Sequence, residues 1–95
     1  MIEALPDTPA FFSRFPVELA DGEISEFRFY FFSREEPRLH VHVHGPDGEA
    51  KFWLEPEIEL AQNYGLKARD VKAVLLLIGE HKNDIRQAWN THFGR

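Results

Sequence analysis

HVHVHGPDGEAKFWL (residues 40–54) carries the clearest secondary-structure pattern in the chain. On both sides of Gly45-Pro46-Asp47-Gly48, apolar side chains alternate with polar or aromatic ones, which is typical of strands with one buried face. The Gly-Pro-Asp-Gly segment between the two runs is a hairpin signal. The stretch therefore predicts two antiparallel strands that share an apolar face and a polar face.

The flanking sequence predicts further strands and a helical region. Alternation of Phe with Arg, Tyr and Phe over residues 26–32 predicts another strand, residues 33–38 a turn, and residues 58–60 a short edge strand. After Gly65, apolar residues recur at helical spacing from Val71 to Phe93. This region forms either two helices, with a break near Gly79 or Asn83, or one long helix that contains both residues. The predicted fold class is α+β, with a three- or four-stranded antiparallel sheet and one or two C-terminal helices packed on one face.

Residues 1–25 differ from the rest of the chain. They carry five acidic side chains against Arg14 alone, and contain Pro6, Pro9 and Pro16 together with three Phe. Thr8 before Pro9 indicates a capped helical turn. We therefore expect an acidic N-terminal extension over residues 1–25 and a single α+β domain over residues 26–95.

The parity of the strands divides their side chains between two faces. The apolar set, which we expect under the helices, is Phe27, Phe29, Phe31, Leu39, Val41, Val43, Ala50, Phe52 and Leu54. The opposite set is Arg28, Tyr30, Phe32, His40, His42, His44, Lys51, Trp53 and Glu55. Three interpretations of this second set stay open: an ordinary solvated face, an interface for a protein, or a stacking platform for single-stranded nucleic acid.

The interface hypothesis assigns contacts with a partner to six residues of this set: Arg28, Tyr30, His40, His42, Lys51 and Trp53. Tyr and Trp supply contact area, while Arg and Lys favour an acidic partner. We expect that partner to be a small protein or a second copy of the chain. The formal net charge of −5 disfavours general nucleic-acid binding.

The histidine strand is the other candidate for chemistry. Neighbouring imidazoles of His40, His42 and His44 lie about 6.6 Å apart along a strand and the outer two about 13 Å apart, so one metal ion cannot readily take all three. A metal site would need a further ligand such as Glu55, His81 or His92, and we expect His81 and His92 to pack beside the helical apolar stripe. We expect no bound metal and no cofactor, although a metal-binding protein stays open as an alternative.

The remaining sequence contains no catalytic motif. It has no cysteine, no nucleophile motif and no glycine-rich phosphate loop. An RNA-directed toxin with the sheet histidines as acid–base groups is the enzymatic alternative. The N-terminus lacks the features of a signal peptide and no apolar run is long enough to span a bilayer, so we expect a cytoplasmic protein with no membrane contact.

Several motifs together resemble a known family. They are the run from Phe27 to Ser33, then Pro37, His40-Val41-His42-Val43, the run from Glu49 to Leu54, Pro56, Leu60-Ala61, Gly65, Trp89 and Phe93. Over about residues 24–94 the chain resembles domain-of-unknown-function family 4160 of bacteria. Arg38-Leu39 stands where the family has a second proline, and Lys67 where it has a capping serine.

The resemblance implies a partner more than an activity. Families of this kind comprise small prokaryotic proteins that are often encoded beside another small protein, in arrangements that resemble toxin–antitoxin pairs. The function expected from the resemblance is one member of such a two-protein module. Nothing is carried over to residues 1–25, because the acidic extension is unlike the short beginnings of the family.

Overall fold

A computed structural model describes residues 9–18, 22–32 and 37–93. The strands are β1 (Pro9–Glu18), β2 (Ile24–Phe32), β3 (His40–Gly45), β4 (Gly48–Trp53) and β5 (Glu59–Tyr64). Two helices follow, α1 (Ala68–Glu80) and α2 (Lys82–Phe93). The α+β class is confirmed, but the sheet has five strands where three or four were expected.

The sheet is an antiparallel meander with its strands in chain order, β1-β2-β3-β4-β5. The predicted hairpin is confirmed: Val41 lies opposite Phe52, Val43 opposite Ala50, and Gly45 opposite Gly48 across the Pro46-Asp47 turn. Phe29 of β2 lies opposite Val43, which places the aromatic strand in the expected phase with the hairpin. Residues 33–36 of the predicted turn before β3 lie outside the described residues.

The N-terminal region contains the first correction. The expected helical turn after Thr8 is wrong from Pro9 onward, because Pro9–Glu18 forms β1 along the free edge of β2. Thr8 itself lies outside the described residues. The ring of Phe15 lies 4.9 Å from that of Phe29. Pairing with β2 and the Phe15–Phe29 ring contact therefore outweigh the local capping signal. The prolines are tolerated because β1 is an edge strand, where a missing N–H need not break a ladder hydrogen bond.

The core lies between one face of the sheet and the two helices. Every member of the predicted apolar set is buried, and it packs with Val74, Ile78, Ile85 and Trp89. Val74 and Ile78 are fully enclosed and Trp89 nearly so. The predicted assignment of the inner face is therefore confirmed.

The helical region is divided in two at His81, between Gly79 and Asn83, which were the expected break points. The His81 N–H still donates to the Leu77 carbonyl at 3.0 Å, and the Ile85 N–H donates to the His81 carbonyl at 2.9 Å. At the start of α1, the Lys67 N–H donates to the carboxylate of the buried Asp70 at 3.2 Å. The Asp70 carboxylate thus accepts a hydrogen bond from the backbone N–H of Lys67, at the N-terminus of α1, where N–H groups have no partner within the helix.

Two glycines let the β3–β4 turn touch the connection from β5 to α1. Gly65 has φ +102°, and a Cβ there would lie 2.7 Å from the Asp47 carbonyl oxygen. A Cβ on Gly48 would overlap the Tyr64 carbonyl oxygen. Side chains at these positions would push apart the hairpin and the start of α1.

We predict opposite effects for alanine at two glycines. Gly65→Ala should lower the free energy of unfolding by about 1–3 kcal/mol, because it combines a positive φ with a backbone clash. Gly79→Ala is the matched control: apart from its chain neighbours and the backbone of its own helix, nothing lies within 4 Å of the added methyl group. It should raise stability by about 0.5–1 kcal/mol, because helical glycine costs backbone entropy. Urea unfolding of both variants tests this, and equal effects would contradict the role given to Gly65.

Candidate partner-binding surface

The face opposite the helices, here called the outer face, spans β2 to β5. Its register pairs Arg28 with His44 and Tyr30 with His42, and continues into β4 and β5. The outer face comprises Arg28, Tyr30, His42, His44, Glu49, Lys51, Trp53, Glu59, Gln62 and Tyr64. The parity argument placed Arg28, Tyr30, His42, His44, Lys51 and Trp53 there correctly, whereas the side chain of Phe32 lies outside the description.

The six residues proposed for partner contact differ in exposure. Arg28, His42, Lys51 and Trp53 are partly exposed. Tyr30 is 5% exposed and His40 is fully enclosed. In this structure His40 therefore offers no surface to a partner, contrary to its place in the predicted contact set, and Tyr30 offers little.

His40 is held as a packing residue where β3 begins. Its ring centroid lies 5.0 Å from Trp89 of α2, 5.5 Å from Trp53 and 5.2 Å from His42. Its Nδ1 lies 2.7 Å from the Arg38 carbonyl oxygen, so the geometry assigns a proton to this nitrogen. Strand parity alone cannot predict this enclosure, because it depends on the ring of Trp89, which is distant in sequence.

Trp53 is contacted by two cations. The Arg38 guanidinium carbon lies 4.1 Å from the Trp53 ring centroid, and the Lys51 ammonium nitrogen lies 4.4 Å from it. Arg38 is itself held by a 2.8 Å hydrogen bond to the Glu55 carbonyl and a 3.3 Å ion pair with Glu59. The indole is therefore fixed in place with cations close to it, and such contacts gain about 0.5–2 kcal/mol depending on exposure.

Arg38 was missed as a member of this cluster because it was assigned to the turn before β3. The pairing of His40 with Trp53 nevertheless indicates its position, since residue 38 then falls across from residue 55. Arg38, two residues before His40, is therefore within reach of Trp53, which lies opposite His40.

Tyr30 is nearly buried and contacts two residues of the outer face, Glu49 and His42. Its hydroxyl donates to Glu49 Oε2 at 2.9 Å, and its ring stacks on His42 with centroids 5.4 Å apart and an interplanar angle of 23°. These contacts fix His42 and Glu49 relative to each other. The role of Tyr30 is therefore to orient its neighbours.

A shallow depression of about 250 Å³ lies on the outer face where β3, β4 and β5 meet. Its polar and aromatic lining comprises His42, Glu49, Lys51, Gln62 and Tyr64. Gln62 and Tyr64 were missed because the fourth strand was expected at residues 58–60, whereas β5 continues to Tyr64. The depression presents hydrogen-bond donors and acceptors beside the exposed ring of Tyr64.

The possible further metal ligands do not join the histidine strand. Glu55 Oε2 forms a 2.8 Å ion pair with Arg86, and His81 Nδ1 lies 3.4 Å from Asp84. His81 packs against Phe15, as expected of a partly buried packing histidine, whereas His92 is exposed beside Phe93. Among the described residues, no three His, Asp or Glu side chains are grouped to hold a metal ion.

Comparison with known proteins identifies the domain. The model of the family "Domain of unknown function (DUF4160)" matches residues 26–90. The chain belongs to the DUF4160 family. No curated protein and no solved structure gives a significant match.

The DUF4160 match extends from β2 into α2 and leaves β1 outside. It includes most of β2, all of β3, β4, β5 and α1, and most of α2. In the part of the chain that the structure describes, no helix is long and apolar enough to cross a membrane.

We predict that Tyr30→Phe lowers the free energy of unfolding by about 0.5–1.5 kcal/mol, because the variant loses the hydrogen bond to Glu49 and keeps the ring. Tyr64→Phe is the matched control, since Tyr64 is 63% exposed and its hydroxyl can bond to water. That variant should unfold as the wild type does. Chemical denaturation measures both changes, and an equal loss in the two variants would contradict the support assigned to Tyr30.

Proposed function

We propose that this DUF4160 chain is one member of a two-protein, toxin–antitoxin-like module and binds its partner protein through the outer face. The observation that carries the proposal is the cluster of Trp53 with Arg38 and Lys51, next to the depression that Tyr64 borders. Fixed, half-exposed aromatic rings beside cations are the side chains that protein interfaces favour. The inner face is already filled by the helices, which leaves the outer face for recognition.

Charge gives the partner its chemistry. The outer face together with the adjoining Arg38 carries the cations Arg28, Arg38 and Lys51 against the two acids Glu49 and Glu59, whereas the whole chain has a net charge of −5. Glu59 is paired with Arg38, and Glu49 accepts the Tyr30 hydroxyl. We therefore propose a partner whose contacting surface is acidic, which the cationic cluster would select against other surfaces.

The test uses the protein encoded by the neighbouring gene, co-expressed and purified with the chain. Lys51→Glu should weaken the complex by about tenfold or more, because it opposes an acidic partner with like charge. Lys72→Glu is the matched control: it makes the same charge change at an exposed position of α1. Isothermal titration calorimetry gives both affinities.

Two outcomes would refute this assignment of the surface. One is wild-type affinity for a folded Lys51→Glu variant. The other is an equal loss for Lys51→Glu and Lys72→Glu, which would show an effect of net charge alone. Thermal unfolding of each variant, measured first, separates loss of the surface from loss of the fold.

An RNA-directed toxin is the second candidate, and a specific observation favours it. His42 lies beside Lys51 and Tyr64 in the depression, so an imidazole, an ammonium group and a stacking ring are close together. His40 has no part in such a site, because it is enclosed.

For this second candidate, expression of the chain alone should arrest growth and deplete RNA, and His42→Ala should abolish both effects. His81→Ala, at the junction of the helices, is the control and should leave both effects in place. Normal growth at a high level of soluble, folded protein would exclude the toxin and leave the binding module.

A further inference from the structure

β5 is an edge strand that lacks the lysine and proline that often protect an edge, and its irregularity at Ala61 is the feature of that kind that it does have. One side pairs with β4, and no strand among residues 9–18, 22–32 and 37–93 pairs with the other side. Natural edges carry lysine or proline that prevents further pairing. The opposite edge, β1, contains Pro9 and Pro16, whereas β5 (ELAQNY) has neither lysine nor proline. Its single charge, Glu59, is at one end and is paired with Arg38.

Two exposed hydrophobic side chains lie on opposite faces of β5. Among the described residues four large hydrophobic side chains are exposed, and two of them belong to this strand: Leu60 at 39% and Tyr64 at 63%. Leu60 lies opposite the inner-face Phe52, and Tyr64 lies opposite the outer-face Glu49. A helix docked on the sheet would cover only one of these faces. An added strand flanks both, because its own side chains alternate between them.

The distribution of the β5 side chains between the two faces is symmetric about the centre of the strand. Glu59 and Tyr64, at the two ends, are both on the outer face, while Leu60 and Asn63 are both on the inner face. The irregularity between Lys51 and Phe52 makes this possible, because it places the extra residue Ala61 in the middle of β5. A regular strand of six residues would have its two ends on opposite faces.

We infer that β5 pairs antiparallel with β5 of a second copy of this chain, about a two-fold axis between Ala61 and Gln62, to form a continuous ten-stranded sheet. In this register Glu59 of each copy lies opposite Tyr64 of the other, and Leu60 lies opposite Asn63, so that faces match at both kinds of position. No like charges meet across the axis. The contact places a tyrosine hydroxyl beside a carboxylate, the pairing that Tyr30 and Glu49 already make within the chain at 2.9 Å.

The edge of β5 adjoins the outer face, with which it shares Glu59, Gln62 and Tyr64, but the pairing of two β5 strands does not depend on the partner protein. A six-residue strand pair buries less area than a stable dimer needs, so we expect weak association, with a Kd of about 10 μM or weaker. With such a Kd, the fraction of dimer changes with protein concentration over a range that can be measured.

Sedimentation equilibrium of the full chain from about 10 μM to about 1 mM is the first test, and it should show monomer and dimer in exchange. Leu60→Lys should weaken the dimer by about tenfold or more, because a lysine on the inner side of the edge would be trapped beside the second copy. Leu76→Lys, at a 65% exposed leucine on α1, makes the same substitution away from β5 and should leave the dimer unchanged.

A crosslink tests the register directly and does not rely on Leu60. The chain has no cysteine, so Glu59→Cys with Tyr64→Cys introduces the only thiols. Within one chain these positions lie about 16 Å apart, too far for a disulfide. Across the two-fold axis they are directly opposite, so mild oxidation should give a covalent dimer. Glu59→Cys with Leu76→Cys is the control and should stay monomeric.

Three results of the sedimentation and crosslinking experiments would overturn the inference: a wild-type chain that stays monomeric up to about 1 mM, a dimer that Leu76→Lys disrupts and Leu60→Lys does not, or equal crosslinking in both cysteine pairs. If Leu60→Lys fails to fold, the crosslinking experiment decides alone. Protection of β5 amides by the neighbouring protein with no self-association would assign the edge to that protein and would also overturn the second copy as its occupant.

Discussion

Burial of one apolar sheet face fixes the register of the strands, because each strand must turn its apolar side chains toward the helices. Phe29, Val43 and Ala50 lie side by side across three strands, and the helices complete their enclosure. Since side chains alternate, burying this face determines which residues form the other one. A slip of one residue would expose the phenylalanines and bury Arg28, His42 and Lys51. The composition of the outer face is thus a consequence of the core, and a function assigned to that face is protected by the stability of the fold.

The outer face is itself built in two levels. Tyr30 and His40 are enclosed and contact the residues above them, while Trp53, Lys51 and Tyr64 reach the solvent. The lower residues give the upper ones fixed positions: Tyr30 bonds Glu49 and stacks on His42, and His40 packs beside Trp53. Binding to fixed side chains loses less conformational entropy than binding to mobile ones. This favours recognition through the outer face over a merely solvated role.

Sequence reasoning succeeded where a signal is local and failed where it depends on distant contacts. Alternation over residues 27–31 and 39–54 identified the inner face, because period two is a property of the chain itself. β1 was missed because two prolines and a capping signal conceal a strand that exists only through pairing with β2. The extension of β5 was missed because Ala61 and Asn63 belong to residue types that are depleted in strands, and Asn63 is held by hydrogen bonds to Leu66. The burial of His40 was missed because its cover, Trp89, comes from the far end of the sequence.

The outer face and the β5 edge are compatible because they are perpendicular to each other. A strand added beside β5 extends the sheet laterally and leaves the space above Trp53 and Lys51 open. Pairing about a two-fold axis would put two outer faces on the same side of one sheet, with both depressions near the axis because Gln62 and Tyr64 line them. A partner with two binding segments would then meet both sites at once, and its second contact would be intramolecular. Weak pairing at the edge and modest affinity at each face would together give tight binding that depends on the concentration of the chain.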